Sequence, residues 1–285
     1  MVSGDNSRDR CVYILCCTAL NAVIQDMVYG IRDGVTDRFT NVSAVLDELL
    51  RNNTPGMWLV DGYPQLRYLP KPLQWWRPTA EKVYQQARDS FMAYYELMEK
   101  NIAAGTQKDC FALKFYAEAD AENSMFDFDQ RLFTIGGILQ AGSDTTRHQM
   151  NMIFVAMAMD PGDWIIKARK ELDEVCGDAG RLPTFDDWNR LPYIHAIVKE
   201  SMRWRSNINQ TGFPHALTQD DEFEGYKLPA GTVVTINNWA IALDPREYEE
   251  PTKFKPERFL NEDLYNPLKG QYGFGVGECL CSCFV

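Results

Sequence analysis

Apolar residues recur at three- and four-residue steps over most of the first two-thirds of the chain, which is the spacing of one face of an α-helix. Residues 79–105 carry such a face, and Gly105 supplies a stop signal. Residues 163–176 carry another, which Gly177 ends, and a further helix is predicted from residue 192 to about residue 205. These patterns predict a mainly helical protein.

Helical spacing also extends over residues 127–159, on both sides of the weakly apolar segment AGSDTT at 141–146. A single helix of that length is unusual in a globular protein. A glycine inside a helix costs about 1 kcal/mol relative to alanine. Gly142 therefore indicates either that another group approaches the backbone closely, or that one helix ends there and a second is capped by Ser143 or Asp144. The pattern alone favours neither.

Short β-favouring runs follow at residues 211–217 and 232–236 and predict a small β-sheet. Residues 245–277 are rich in Pro, Gly, Glu and aromatic side chains without a period, which predicts a long ordered loop of the kind that is usually functional. No repeat and no Gly/Ser linker divides the chain, so a single domain over residues 1–285 is expected.

The apolar stretch at residues 11–24 is too short for a membrane-spanning helix, which needs about 20 apolar residues. Its period continues through Val23, Met27 and Val28, and it is predicted to be a buried helix. The chain holds 40 acidic and 29 basic residues, a net charge of -11 that excludes nucleic acid as a partner. Its eight cysteines are scattered except for the last three, which favours a reducing compartment.

Four short motifs carry the candidate chemistry, and each has an ordinary explanation. AGSDTT lies in the long helix, KESMR contains Glu200 and Arg203, FKPERF contains Arg258, and FGVGECLCSCF ends the chain. Charged pairs three residues apart on a helix are usually solvated. A lone loop arginine needs no special partner.

The last motif presents a thiol on a glycine-bearing turn at residues 274–284. A thiolate binds iron when backbone amides of such a turn lower the pKa of the cysteine. The alternatives are a loose cysteine-rich tail or a zinc site. Zinc would need a fourth ligand, and the three histidines of the chain have no paired spacing.

In this order the motifs resemble those of the cytochrome P-450 family, whose members carry A/G-G-x-D/E-T-T/S, E-x-x-R, P-E-R-F and F-x-x-G-x-R-x-C-x-G. The likeness covers the chain from about residue 18 onward, and the segments LPYIHAIVKES and FPHALTQDDEFEGYKLPAGTVV resemble fungal members. The resemblance implies a mainly α fold with a small β-sheet. It would be an incomplete cytochrome P-450 fold, with the long central helix over the haem site.

Matched residue by residue, the resemblance assigns a cofactor, heme b, with Cys281 as the axial thiolate on its iron. The other cofactor-binding residues that it implies are Phe274, which shields the thiolate, Gly277 in the turn, His215 near a propionate, and Ala141 and Gly142, which leave room for dioxygen.

The resemblance also assigns proton delivery to iron-bound dioxygen to Asp144 and Thr145. Structural support for the thiolate loop falls to a buried network of Glu200, Arg203 and Arg258. Residues 133–139 and 208–213 are expected to face the substrate.

Three departures from the family pattern lie near the carboxyl end. Cys279 stands where the family has a basic residue, Cys283 replaces a glycine, and the motif can also be aligned with the thiol at Cys279, although Phe274 and Gly277 favour Cys281. The chain stops at Val285, before the later helix and strands of the family. The membrane anchor and the W-x-x-x-R helix have no counterpart upstream.

The resemblance implies a monooxygenase of fungal secondary metabolism that inserts one atom of O₂ into a hydrophobic small molecule. Its electrons would come from an NADPH-dependent cytochrome reductase. Family members associate with the endoplasmic reticulum membrane; without an anchor helix, the chain as written would be cytoplasmic. The rival hypotheses are a non-catalytic remnant that binds little or no haem and, third, a C-x-C-x-C metal-binding protein.

Overall fold

The computed structural model describes residues 6–32, 37–52, 54, 56–121, 126–177, 180–206 and 214–273. The chain divides into two compact units, Met1–Arg147 (unit 1) and His148–Val285 (unit 2). The single domain expected from the sequence stays a prediction.

Helices make up most of the described residues. The α-helices are α1 (Asn6–Tyr29), α2 (Asp37–Asn52), α3 (Leu59–Gly62), α4 (Arg77–Ala103), α5 (Phe111–Ala121), α6 (Phe128–Met159), α7 (Asp163–Cys176), α8 (Pro192–Trp204) and α9 (Asn238–Ala242). Short 3₁₀ helices cover Pro64–Tyr68, Lys71–Leu73, Phe185–Arg190 and Pro256–Phe259. No helix within these described ranges has the length and apolar character needed to cross a bilayer.

The strands form two separate antiparallel pairs rather than one sheet. Strand β1 (His215–Ala216) pairs with β4 (Val233–Val234), and β2 (Asp221–Phe223) pairs with β3 (Tyr226–Leu228). The β2–β3 hairpin was not predicted. Its two turn residues, Glu224 and Gly225, have φ angles of 50° and 82°, which is the requirement of a tight hairpin turn.

The predicted fold class, mainly α with a small β component, is confirmed. Helices α4, α7 and α8 begin and end within two residues of their predicted bounds. Helix α6 is continuous for 32 residues, so the hypothesis of two helices meeting at Gly142 is wrong.

Unit 1 has a core built from α1, α2, α4, α5 and the first part of α6. The side chains of Leu132, Ile135 and Leu139 on α6 are fully buried in it. Gly136 lets α4 approach, since a Cβ atom there would lie 2.3 Å from the ring of Phe91. The close contact between the two helices therefore requires glycine.

The buried face of helix α1 is partly polar, where an apolar one was predicted. Val23 and Met27 are 49% and 65% exposed, whereas Asn21 and Gln25 are fully buried. The Gln25 amide donates to the hydroxyl of Tyr94 at 3.2 Å. Val28 is buried in the core as predicted, so the prediction is confirmed at Val28 and wrong at Val23 and Met27.

In unit 2, α7 and α8 pack through an aromatic cluster that includes Trp164, Trp204 and Phe254. Glu171 on α7 accepts bonds from the backbone N–H groups of Tyr193 at 2.8 Å and Ile194 at 3.0 Å. These N–H groups in the first turn of α8 have no partner within the helix. A carboxylate from the neighbouring helix thus caps the helix that carries Glu200 and Arg203.

Asp187 closes the turn that precedes α8. Its buried carboxylate accepts bonds from Arg181 at 2.6 and 2.8 Å and from the Thr184 N–H at 2.9 Å. The Arg181 guanidinium and the Thr184 backbone hold the pKa of Asp187 well below its usual range.

We expect Asp187→Asn to lower the midpoint of thermal unfolding at neutral pH. Because the folded-state pKa of Asp187 is depressed, its contribution to stability is present above the unfolded-state pKa of about 3.9 and is lost as the pH falls through the folded-state value. The difference from wild type should therefore shrink in acid. Circular dichroism melts across the acid range test this, with the exposed neighbour Asp186→Asn as control. A difference that does not change with pH would contradict it.

Candidate active site

A buried ion pair on α8 forms the centre of the site in unit 2. The side chains of Glu200 and Arg203 are both 0% exposed. The Arg203 Nε donates to Glu200 Oε2 and its Nη2 donates to Oε1, each at 2.7 Å. This is the two-bond geometry that makes arginine–carboxylate pairs strong. The explanation of this pair as a solvated surface pair is wrong.

The remaining donors of Arg203 hold backbone that is distant along the chain. Its Nη1 donates to the carbonyl oxygens of Ala242 at 2.7 Å and Pro251 at 2.9 Å. Its guanidinium carbon lies 5.0 Å from the centroid of the Tyr248 ring. Arg203 thus links α8 to the end of α9 and to the loop that follows.

Arg258 completes the predicted trio. Its Nε lies 3.5 Å from Glu200 Oε1, and its Nη2 donates to the carbonyl of Glu250 at 2.9 Å. The same Glu200 oxygen accepts the backbone N–H of Lys255 at 2.8 Å. The structure therefore brings Glu200, Arg203 and Arg258 together around one carboxylate.

Sequence reasoning missed the side chains that support Arg258 from the outside. Its neighbour Glu257 accepts bonds from the hydroxyl of Tyr193 at 2.7 Å and from the ammonium of Lys167 at 2.6 Å. Burial alone would raise the pKa of Glu257, but these two donors hold it below its usual range. Nothing in the local pattern pointed to them, because Lys167 and Glu257 are 90 positions apart.

In unit 1, Gly142 lies on the buried side of α6. A Cβ atom at this position would be 3.0 Å from Cδ1 of Ile24. The group that approaches the backbone is therefore a side chain of α1, as the first of the two hypotheses requires. Its role beside dioxygen stays a prediction.

Ala141 and Thr145 lie on the exposed side of the same helix. The Thr145 hydroxyl donates to the carbonyl oxygen of Ala141 at 2.8 Å. Asp144, the predicted acid, forms an ion pair with Arg147 one turn later. Small side chains and a hydroxyl thus share one exposed face.

His215 is exposed in β1, where it pairs with Val234. Phe274, Gly277 and Cys281, with the alternative ligand Cys279, lie outside the described residues.

The predicted substrate-facing stretch 133–139 divides between core and surface. Ile135 and Leu139 are fully buried in the core of unit 1, whereas Ile138 is exposed, and the contact of this stretch with a substrate stays a prediction. Residues 208–213 lie outside the described ranges.

Within the described part of the chain, no group of three or more His, Cys, Asp or Glu side chains is arranged to hold a metal ion.

A cleft of about 240 Å³ lies beside the ion-pair network and is bordered by Lys199, Tyr248, Arg258 and Lys269.

The profile of the family described as Cytochrome P450 matches residues 10–282. The chain belongs to this family. The match spans the first three motifs, with the buried trio and the small-residue segment of α6, and the fourth motif as far as residue 282.

Similar cytochrome P450 proteins come from fungi. Cytochrome P450 monooxygenase drtD of Aspergillus calidoustus is 36% identical over 84% of this chain and 43% of its own length. Monooxygenases aneD of Aspergillus aculeatus and verL of Clonostachys rogersoniana are each 32% identical, over 89% and 91% of this chain and 48% and 49% of their own lengths. The chain thus spans about half the length of these relatives.

We expect Glu200→Gln to destabilise the protein by about 3–5 kcal/mol, because it leaves the Arg203 guanidinium charged and buried without a counter-ion. Urea unfolding measures the loss. The control is Glu174→Gln, which removes an exposed helical partner 3.8 Å from Lys170 and should cost no more than about 0.5 kcal/mol. Equal losses of unfolding free energy in the two variants would contradict the argument that burial makes the Glu200–Arg203 pair costly to break.

We expect Gly142→Ala to cost roughly 1 kcal/mol net, because crowding against Ile24 outweighs the gain in helix propensity. Ile24→Val removes the crowded Cδ1 atom. It should therefore cost about 0.5–1.5 kcal/mol alone but much less in the Gly142→Ala background. A double-mutant cycle by urea unfolding tests the coupling, and additive effects would show that the two side chains do not interact.

Proposed function

We propose that this chain supplies the haem-thiolate centre of a monooxygenase that inserts one oxygen atom of O₂ into a hydrophobic small molecule. Membership of the cytochrome P450 family and the relatives' common designation as monooxygenases support the reaction class. The finer assignment to fungal secondary metabolism is supported only by likeness to fungal relatives.

The observation that carries the proposal is the complete burial of Glu200 and Arg203. Removing two charges from water carries a desolvation penalty that their attraction repays only with good geometry. Such a pair is thus a poor choice for stability alone. Its bonds to Ala242, Pro251 and Lys255 fix the backbone that leads toward the cysteine-bearing turn, which gives the pair a positioning role.

In the proposal Cys281 would hold the iron of heme b through its thiolate, and Phe274, Gly277 and His215 would be the other residues of unit 2 that bind the cofactor. The donor set suits iron, because a thiolate pushes electron density onto the metal and favours O–O cleavage when haem is bound. The described chain just before the cysteine-bearing turn is well held. Buried Gln271 accepts the backbone N–H of Gly273 at 2.5 Å.

The exposed face of α6 would handle protons. The Thr145 hydroxyl gives its hydrogen to the carbonyl of Ala141, so its oxygen lone pairs remain available to accept a hydrogen bond. Passing on a proton requires the hydroxyl to leave that carbonyl. Asp144 would resupply the proton after it separates from Arg147 and takes up a proton from water. Thr145 therefore acts in the proposal as a relay and Asp144 as its source.

The proposed partners are O₂, a hydrophobic substrate and an NADPH-dependent cytochrome reductase. The relatives' membership of a family with reductase partners supports the last of these. Association with the endoplasmic reticulum membrane belongs to the same proposal.

The test is to express the chain with a haem supply, reduce it, add carbon monoxide and record the difference spectrum. We expect a thiolate-type Soret band that Cys281→Ala abolishes and Cys279→Ala retains, because only the thiolate ligand gives that band. Loss of the band in Cys279→Ala alone would move the ligand to Cys279.

Two outcomes would overturn the proposal. A folded chain that takes up no haem would be the non-catalytic remnant. A stoichiometric content of zinc instead of iron would indicate the C-x-C-x-C metal site.

A further inference from the structure

Lys199 is a buried cation that the proposed chemistry does not use. It precedes Glu200 on α8, and only 6% of its surface is exposed. Its Nζ donates to the carbonyl oxygens of Asp263 at 2.6 Å and Asn266 at 2.9 Å. Burial lowers the pKa of Lys199, and the Asp263 carboxylate partly offsets that effect. Burying a charged ammonium group costs free energy, so the burial of Lys199 indicates a structural role for its two hydrogen bonds.

The two carbonyls belong to residues 261–273, a segment without α-helix or β-strand. It wraps around the ring of Phe259. The Lys199 ammonium lies 5.3 Å from the centroid of that ring, and a Cβ atom at Gly270 would lie 2.7 Å from its edge. Gly270 has a φ of 72°, so both its conformation and its contact require glycine.

Apolar packing of this segment is centred on Leu264, which is buried with Ala196 and Phe259. The cleft of about 240 Å³ lies beside it and is bordered by Lys199, Asp263, Lys269 and Gly270. Two polar anchors add to this packing: Lys199 near the start of the segment, and the Tyr248 hydroxyl, which donates to the Gly270 carbonyl at 3.0 Å, near its end.

Lys199 and Glu200 are consecutive, and they hold the chain on the two sides of Phe259. Glu200 binds the backbone of Lys255 before it, whereas Lys199 binds Asp263 and Asn266 after it. We infer that Lys199 is a positioning residue, which fixes residues 261–273 against α8 and so sets the path of the chain into the turn that carries the proposed thiolate ligand. This inference rests on the proposed function for its last step only.

The test compares Lys199→Met, which keeps the aliphatic stem, with Lys199→Arg, which keeps charge and donors. The control is Lys227→Met, at an exposed position in β3. In the full chain, amide hydrogen exchange at residues 261–273 should be at least about tenfold faster in Lys199→Met. It should be partly restored in Lys199→Arg and unchanged in Lys227→Met.

The second readout is the fraction of the reduced carbon monoxide complex that shows the thiolate-type Soret band, in variants with unchanged circular dichroism. It should fall in Lys199→Met and recover in Lys199→Arg, which a general loss of stability would not reproduce. Unchanged exchange in Lys199→Met, or no rescue by arginine in either readout, would overturn the inference. A wild-type chain without haem would overturn the proposed function instead, and hydrogen exchange would then decide the role of Lys199 alone.

Discussion

The ion pair between Glu200 and Arg203 is the interaction on which the order of unit 2 depends. A guanidinium offers five N–H donors, and in Arg203 they serve a carboxylate and the distant backbone of Ala242 and Pro251 together. Removing one partner of such a pair is expensive, whereas replacing both with well-packed apolar residues is often neutral for stability. The pair is therefore better understood as fixing where the chain runs than as adding net stability.

Helix α6 combines packing and candidate chemistry within about three turns. Gly142 faces Ile24 of α1, and Gly136 faces Phe91 of α4, so both glycines are explained by close helix contacts in unit 1. Ala141 and Thr145 are four residues apart and share the exposed face. Neighbouring positions on α6 thus have different roles. A role can be assigned to single residues of the segment AGSDTT but not to the segment as a whole.

Periodicity predicted α4, α7 and α8 well, because each buries an apolar stripe against a neighbouring helix. It failed in part on α1, where the buried face contains Asn21 and Gln25 as well as the predicted Val28, because no hydrophobic pattern marks a polar interior. Periodicity also could not distinguish a buried ion pair from a solvated ion pair at Glu200 and Arg203. The atoms that bury Arg203 are backbone carbonyls 39 to 50 positions away, and every residue type carries a carbonyl.

The same point explains why a long segment without regular structure is ordered in this protein. Buried carbonyl groups need donors, and a loop has no ladder of its own to supply them. Helix α8 supplies them from its side chains: Arg203 to Ala242 and Pro251, and Lys199 to Asp263 and Asn266. A helix that buries its charged residues can therefore act as a template for the loop beside it. The conformation of the loop is then set by the length of these side chains and by the positions of their donors on α8. Substitutions of Lys199 or Arg203 should therefore disturb the loop before they disturb the helix.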